Sequence, residues 1–226
     1  MTPWVLLDSA QVPGNGGELQ LFQRGDEFSI KIAGRGGELM NSRVHGSEDA
    51  LAEHTCKRLA GCKNPRLLIG GLGMGFTLAA ALQHAGDQAE VVVAELVPEV
   101  VKWNRGPLGV FANNPLQDSR VTVREGDVGR VMKSEQGAYD GIMLDVDNGP
   151  EGLTRKDNNW LYSVNGLNAA YAALRLQGVL SVWSAGPDKN FTQRLRKVGF
   201  DVDEVRVHAH GGKGARHNIW FAKRVV

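Results

Sequence analysis

The stretch Pro65 to Thr77, PRLLIGGLGMGFT, limits what this chain can fold into more than any other part of it. Leu67, Leu68 and Ile69 form a short apolar run of the kind that makes a strand buried on both faces. Gly70, Gly71, Gly73 and Gly75 follow at once, and Phe76 to Leu82 reads as the first turns of a helix. A buried strand, a glycine turn and a helix start are together the parts of a nucleotide site. Glycines turn tightly and put no Cβ in a ligand's way, and a helix N-terminus offers unpaired N–H groups. Glycines also serve plain tight turns, so the stretch alone leaves both readings open.

The chain around it sorts into two parts. From Trp4 to Met40 the pattern is β: Glu18–Arg24 and Glu27–Ala33 alternate apolar and polar residues about a Gly25-Asp26 turn, which predicts a hairpin, and Glu38–Met40 suggests a third strand. Ser47 with Glu48 and Asp49 reads as an N-cap followed by an acidic first turn, opening a helix to about Ala60. Beyond Asn64-Pro65, strands and helices alternate. Strands are predicted at 90–94, 120–124, 139–144, 179–183, 200–207 and 219–223, and helices from Pro98 to about Asn104, Ser163 to Leu176 and Lys189 to Val198. Alternating βα units mean an α/β protein with a doubly wound, mostly parallel sheet. The expected division is an N-terminal β-hairpin extension over 1–45 and an α/β ligand-binding domain over 46–226.

Composition narrows the function classes. At 226 residues there is room for one sizeable domain with a small appendage. A net charge of +1 gives no global case for nucleic acid or an acidic membrane as partner. The N-terminus MTPWVLLDSA lacks a signal peptide's basic region and apolar core, and no run approaches a membrane span. Cys56 and Cys62 are the only cysteines, and free thiols in a reducing, cytoplasmic setting are expected of them.

Three acidic residues fall just beyond strand ends, where this architecture gathers ligand contacts. Glu95 ends the second core strand at the spacing from the glycine turn expected of a carboxylate that accepts ribose hydroxyl protons. Asp127 follows the third strand, where a carboxylate can take an adenine's exocyclic amine, and Asp145 follows the fourth, beside the reacting end of such a ligand. Each has a plain reading as a solvated strand-end residue, and their register on successive strands favours a site.

These motifs resemble the spermidine synthase family of nucleosyl-sulfonium transferases. Gly70-Gly71-Leu72-Gly73-Met74-Gly75 is similar to that family's Gly-Gly-Gly-Asp-Gly-Gly loop, Ala94-Glu95-Leu96 to its ribose-binding acidic segment, and Gly126-Asp127 to its adenine contact. Tyr139 to Pro150 resembles the segment carrying its catalytic aspartate. Ile69 stands where most class I methyltransferases carry an acid, as in the aminopropyltransferases.

The resemblance implies a Rossmann-like, class I methyltransferase-like fold and a possible homodimer. It also implies S-adenosylmethionine or its decarboxylated form as co-substrate, no metal, and alkyl (aminopropyl) transfer to a small amine acceptor. Asp145 is implied as the base. Asp147 would orient the acceptor, or serve only as a turn residue in Asp-Asn-Gly-Pro. Gly73 stands where the family has the aspartate that holds the amino group of the decarboxylated ligand. Losing that carboxylate removes an ion pair and also removes a repulsion against an intact ligand's own carboxylate. Methyl transfer on the same scaffold, and a non-catalytic nucleotide-binding descendant, are the alternatives.

Weaker candidates complete the set. Met40 to Glu48 precedes the core and is similar to the family's N-terminal lid region, which implies a segment folding over the ligand with Arg43, His45 and Ser47 as candidate contacts; the alternative is a plain surface turn with a cap. Trp160, Tyr162 and Trp183 are possible acceptor-pocket aromatics or packing. His208, His210 and His217 flank a Gly/Lys/Arg segment that reads as a flexible hairpin loop in which Lys213 and Arg216 could meet an anionic group.

Overall fold

A computed structural model describes residues 2–14, 16–34, 37–146, 160–210 and 213–226. Two sheets make up the molecule. The first is an antiparallel meander of β1 (Val5–Gln11), β2 (Glu18–Arg24), β3 (Glu27–Ile32) and β4 (Glu38–Asn41), in that order. The expected hairpin is β2–β3, closed at Arg24 opposite Glu27, and it is extended by a strand on either side. β1 does not announce itself in the sequence, because Val5, Leu6 and Leu7 do not alternate with polar residues and all three are exposed. Leu21, Phe28 and Ile30 form the buried face of this sheet and pack into the same apolar cluster as Leu72, Val97 and Val100 of the second layer.

The second sheet has seven strands. β5 (Arg66–Gly70) is the middle one of its five parallel strands, flanked by β6 (Glu90–Glu95) and β8 (Tyr139–Leu144), with β7 (Val121–Glu125) beyond β6 and β9 (Leu174–Ser184) beyond β8. β11 (Lys213–Arg224) runs antiparallel between β9 and the edge strand β10 (Phe200–His210). The chain leaves β5 outward to β6 and β7, then returns to β8 on the other side. That reversal opens a crevice at the carboxyl ends of β5 and β8.

Among the described residues six α-helices cover the two faces: α1 (Gly46–Arg58), α2 (Phe76–His84), α3 (Pro98–Arg105), α4 (Val128–Ser134), α5 (Val164–Ala173) and α6 (Lys189–Val198). Strand periodicity divides the core accordingly. Leu67, Ile69, Val91 and Val93 join the cluster with α1, α2, α3 and the N-terminal sheet, while Leu68, Val92 and Ala94 join the one with α4, α5 and α6. Continuous apolar runs in β5 and β6 are what a strand covered on both faces requires. Cys56 and Cys62 are free thiols, and burial pushes the Cys56 thiol up to about 11. Among the described residues no helix is long and apolar enough to cross a membrane.

Four local expectations need correction. Helix α4 was not foreseen, because its seven residues, VGRVMKS, are too few for a helical period to show. Helix α5 ends at Ala173, not Leu176, and Leu174 already pairs with Tyr139. The register then shifts before Gly141 pairs with Val179, so Arg175 to Gln177 form an exposed bulge with Gln177 at φ +68°. The residue capping α1 is His45; the Ser47 hydroxyl instead donates to Glu48 at 2.6 Å. The supposed hairpin loop after Val207 is mostly strand, with Val207 opposite His217 and His208 opposite Arg216.

Candidate active site

The glycine turn crosses the carboxyl end of β5 and is locked to the end of β8. Asp145 N donates to the Gly70 carbonyl at 3.0 Å. Gly71, at φ +88°, lies so close to Asp145 that a Cβ there would stand 2.4 Å from its carbonyl oxygen. Only glycine permits both the backbone angle and that approach. Gly71 and Gly73 line a cavity, whereas Gly70 packs on Val128 and Leu144, and Gly75 precedes α2 against Asn104 and Pro115.

Two cavities meet at this turn. The first is lined by Gly71, Gly73, Glu95, Leu96, Gly126 and Asp127, and is roofed by Leu19, Ile30, Ile32, Leu39 and Met40 of the N-terminal sheet. The second lies between α1, α2 and the ends of β9 and β11, with Glu48, Thr77, Trp183 and His217 in its walls. Met40, Gly73 and Asp145 belong to both. Among the described lining residues of either cavity there is no lysine or arginine.

The acidic residues differ in what they already hold. Glu95 is buried, and its two carboxylate oxygens accept from Leu72 N at 2.8 Å and Val97 N at 2.9 Å. It thereby joins the glycine turn to the start of α3. Burial raises its pKa, and the backbone N–H groups of Val97 and Leu72 oppose that rise. The backbone N–H groups of Leu96 and Gly73 also act on it, in the same direction. Asp127 caps α4, with Oδ1 accepting from Arg130 N at 3.1 Å, and its other oxygen makes no hydrogen bond among the described residues.

Asp145 accepts from the buried Thr77 hydroxyl at 2.7 Å. It keeps some surface open to both cavities, but the protein packs densely around its carboxyl group. Burial therefore raises its pKa, against the Thr77 hydrogen bond. Glu48 shares the second cavity with it. Burial first, and then the charge on Asp145, push Glu48 up to about 7.

The remaining candidates divide cleanly. Ser47 and Trp183 line the second cavity. His45 lines neither, stacking instead on Phe76 at 4.4 Å and pairing with Asp49 at 2.7 Å, and Arg43 pairs with Glu27 at 3.0 Å. Trp160 packs on Gly129 beneath Lys133, and Tyr162 is core, edge-on to Phe191. His217 lies beside Trp183 with the rings tilted by 30° and their centroids 4.8 Å apart, and burial lowers its pKa, keeping it neutral. Among the described residues no group of three or more metal-ligating side chains is assembled. Asp147 lies outside the described residues, as do the side chains of His210 and Lys213.

Sequence reasoning names none of Glu48, Thr77 and Met40 as a site residue, although Met40 and Glu48 bound the stretch expected to fold over the ligand. By itself Glu48 reads as a charge complementing the helix dipole. Met40 was read as the end of a strand, although its methyl group sits 2.9 Å from where a Gly73 Cβ would stand.

No family model matches the chain, and no curated protein sequence matches it. Solved structures do match. The spermidine synthase from Thermotoga maritima superposes with a TM-score of 0.76 at 19% identity, over 97% of this chain and 72% of that one. The fold is that of the spermidine synthases. A spermidine synthase in complex with the transition-state analogue AdoDATO gives 0.75 at 19% identity, again over 97% and 72% of the two chains. A probable spermidine synthase from Corynebacterium glutamicum gives 0.63 at 16%, over 97% and 79%. The spermidine synthase fold thus takes in the N-terminal meander as well as the seven-stranded sheet.

Proposed function

We propose that this chain is a transferase that binds an adenosyl sulfonium ligand over the glycine turn and passes its aminopropyl group to a small amine. Glu95 accepts the ribose hydroxyls, Asp127 the adenine amine, and Asp145 stands at the junction of the two cavities beside the reacting carbon. The sulfonium makes that carbon electrophilic. An acceptor amine held in line forms the C–N bond while the C–S bond breaks, its electron pair leaving on sulfur. Asp145 removes or accepts the proton near the nucleophile, and fixed alignment supplies much of the rest. Asp147 is proposed to orient the acceptor from the adjoining segment.

The observation that carries this reading is the charge of the joined cavities. Their described walls offer carboxylates and apolar groups and no lysine or arginine, an environment for a cationic donor and a cationic acceptor. The tip of Met40 fills the space beside Gly73, so an ammonium arm on the donor would be held by Asp145 and not by the turn. Methyl transfer from intact S-adenosylmethionine is the second reading, favoured by the missing carboxylate at Gly73. Calorimetric titration with both forms of the donor separates them. Tighter binding of the decarboxylated form is expected. Preference for the intact form would replace aminopropyl by methyl transfer, and binding of neither would remove the sulfonium site.

A further inference from the structure

Asn104, in the last turn of α3, is 1% exposed, touches the glycine turn and lines neither cavity. Its amide nitrogen donates to the Gly73 carbonyl at 2.8 Å and to the Val100 carbonyl of its own helix at 2.9 Å. Both partners are carbonyl oxygens, so the nitrogen and not the oxygen of the amide faces them. The amide oxygen is left buried with no hydrogen-bond partner among the described residues, close enough to Gly75 that a Cβ there would stand 2.9 Å from it. A buried acceptor without a donor costs free energy that a leucine of similar size would not. Asparagine is also a weak helix former. Stability alone does not call for this residue. What it secures is the hold on one carbonyl, and Gly73 is where the two cavities meet. Gly73 sits at φ +53°, lines both cavities and has the tip of Met40 beside it. Its neighbours in the turn are committed to the framework: Gly71 N donates to the Ala94 carbonyl at 2.9 Å, Leu72 N to Glu95 at 2.8 Å and Gly75 N to the Leu72 carbonyl at 2.7 Å. A glycine peptide reorients readily, and its carbonyl, once loose, is an acceptor for an ammonium group in the cavities.

We propose that Asn104 is a positioning residue that withholds the Gly73 carbonyl from the ligand, so that an ammonium arm on the donor is left to Asp145. This rests on the adenosyl sulfonium site proposed above. With the carbonyl drawn back to α3, the arm is held from the end of β8 and its reacting carbon lies at the junction of the cavities. With the carbonyl loose, the arm has a second partner on the turn. The donor is then bound more tightly but out of line with the acceptor, and transfer slows, since an interaction gained only in the ground state opposes the reaction.

Glycine followed by methionine occurs once in the chain, at Gly73-Met74. Protein made with carbonyl-labelled carbon-13 glycine and nitrogen-15 methionine therefore gives a single NMR cross-peak from the peptide in question. In the wild type its carbonyl shift should barely move when 5′-methylthioadenosine or decarboxylated S-adenosylmethionine is added. In Asn104→Leu it should lie upfield in the free protein, as for a carbonyl that has lost its donor, and return downfield with the decarboxylated donor but not with the thioether. Asn104→Asp, which keeps the size and gives up the N–H groups, should do the same and serves if the leucine variant does not fold. By calorimetry, affinity for the decarboxylated donor relative to the thioether should rise by about 10-fold in either variant. A merely structural asparagine would weaken both ligands alike, so an unchanged ratio overturns the proposal. A wild-type peak that shifts strongly with the decarboxylated donor overturns it as well, as does a variant peak that stays at the wild-type position. Failure of wild-type protein to bind either ligand would instead overturn the sulfonium site, and the peak of the free variants would still report whether Asn104 holds the carbonyl.

Discussion

The two cavities hold carboxylates of the same chemical kind in opposite conditions. On the donor side, Glu95 has both oxygens engaged by backbone N–H groups and serves as a tie between the glycine turn and α3. On the acceptor side, Ser47 donates to Glu48 and Thr77 to Asp145; burial pushes both carboxyls toward protonation, and the charge on Asp145 adds to that push at Glu48. A carboxylate satisfied by backbone donors is framework that a ligand joins. Carboxylates left short of donors are a site that a ligand completes.

Substitution at the junction should separate the two most widely. Asp145→Asn keeps the shape and the Thr77 contact but cannot take a proton, so turnover should fall by about 10²–10⁴ while affinity for an adenosyl thioether without the ammonium arm stays little changed. Single-turnover kinetics beside calorimetry would show it, and wild-type turnover in this variant would remove Asp145 from the chemistry.

The next effect is on stability. Glu48 titrates near 7 when folded against an ordinary value of 4.5, so the folded chain binds the extra proton between those limits. Stability tied to that proton is fully present below about pH 4.5 and is lost as pH rises toward 7, by up to ~3 kcal/mol. Glu48→Gln should flatten that slope and leave the protein more stable than the wild type at pH 8, as read from urea unfolding across pH. A variant less stable than the wild type at pH 8 would mean that the charged group is already compensated.

The smallest effect is expected on the donor side. Glu95→Ala strands the N–H groups of Leu72 and Val97 and should cost about 1–3 kcal/mol of stability at every pH near neutral, with donor affinity weakened alongside. A loss confined to affinity would show that the carboxylate is not framework.

Legibility in the sequence follows the range of the interactions. The strand–glycine–helix unit, the buried β5 and β6 and the acids at strand ends are local patterns, and each lies where its neighbours in sequence imply. α4 was hidden by its shortness, and the end of α5 by a bulge whose residues, Arg175 to Gln177, are acceptable helix formers that the pairing of Leu174 with Tyr139 overrides. Glu48 was hidden for another reason. An acid in a helix's first turn has a sufficient local explanation, and only the fold brings Asp145 to it. Met40 likewise gains its meaning from Gly73, an element away.

The meander of β2, β3 and β4 is the ceiling of the donor cavity, and four of its ceiling residues, Leu19, Ile30, Leu39 and Met40, also pack into the apolar cluster beneath. Holding the ligand and holding the meander onto the core are therefore one set of contacts counted twice. A bound donor would act as an added piece of the core, slowing detachment of the meander. Residence time in the cavity would then be governed by how often that ceiling lifts, and substitutions on its inner face would be felt as faster release of a ligand that the residues need not touch through any polar atom.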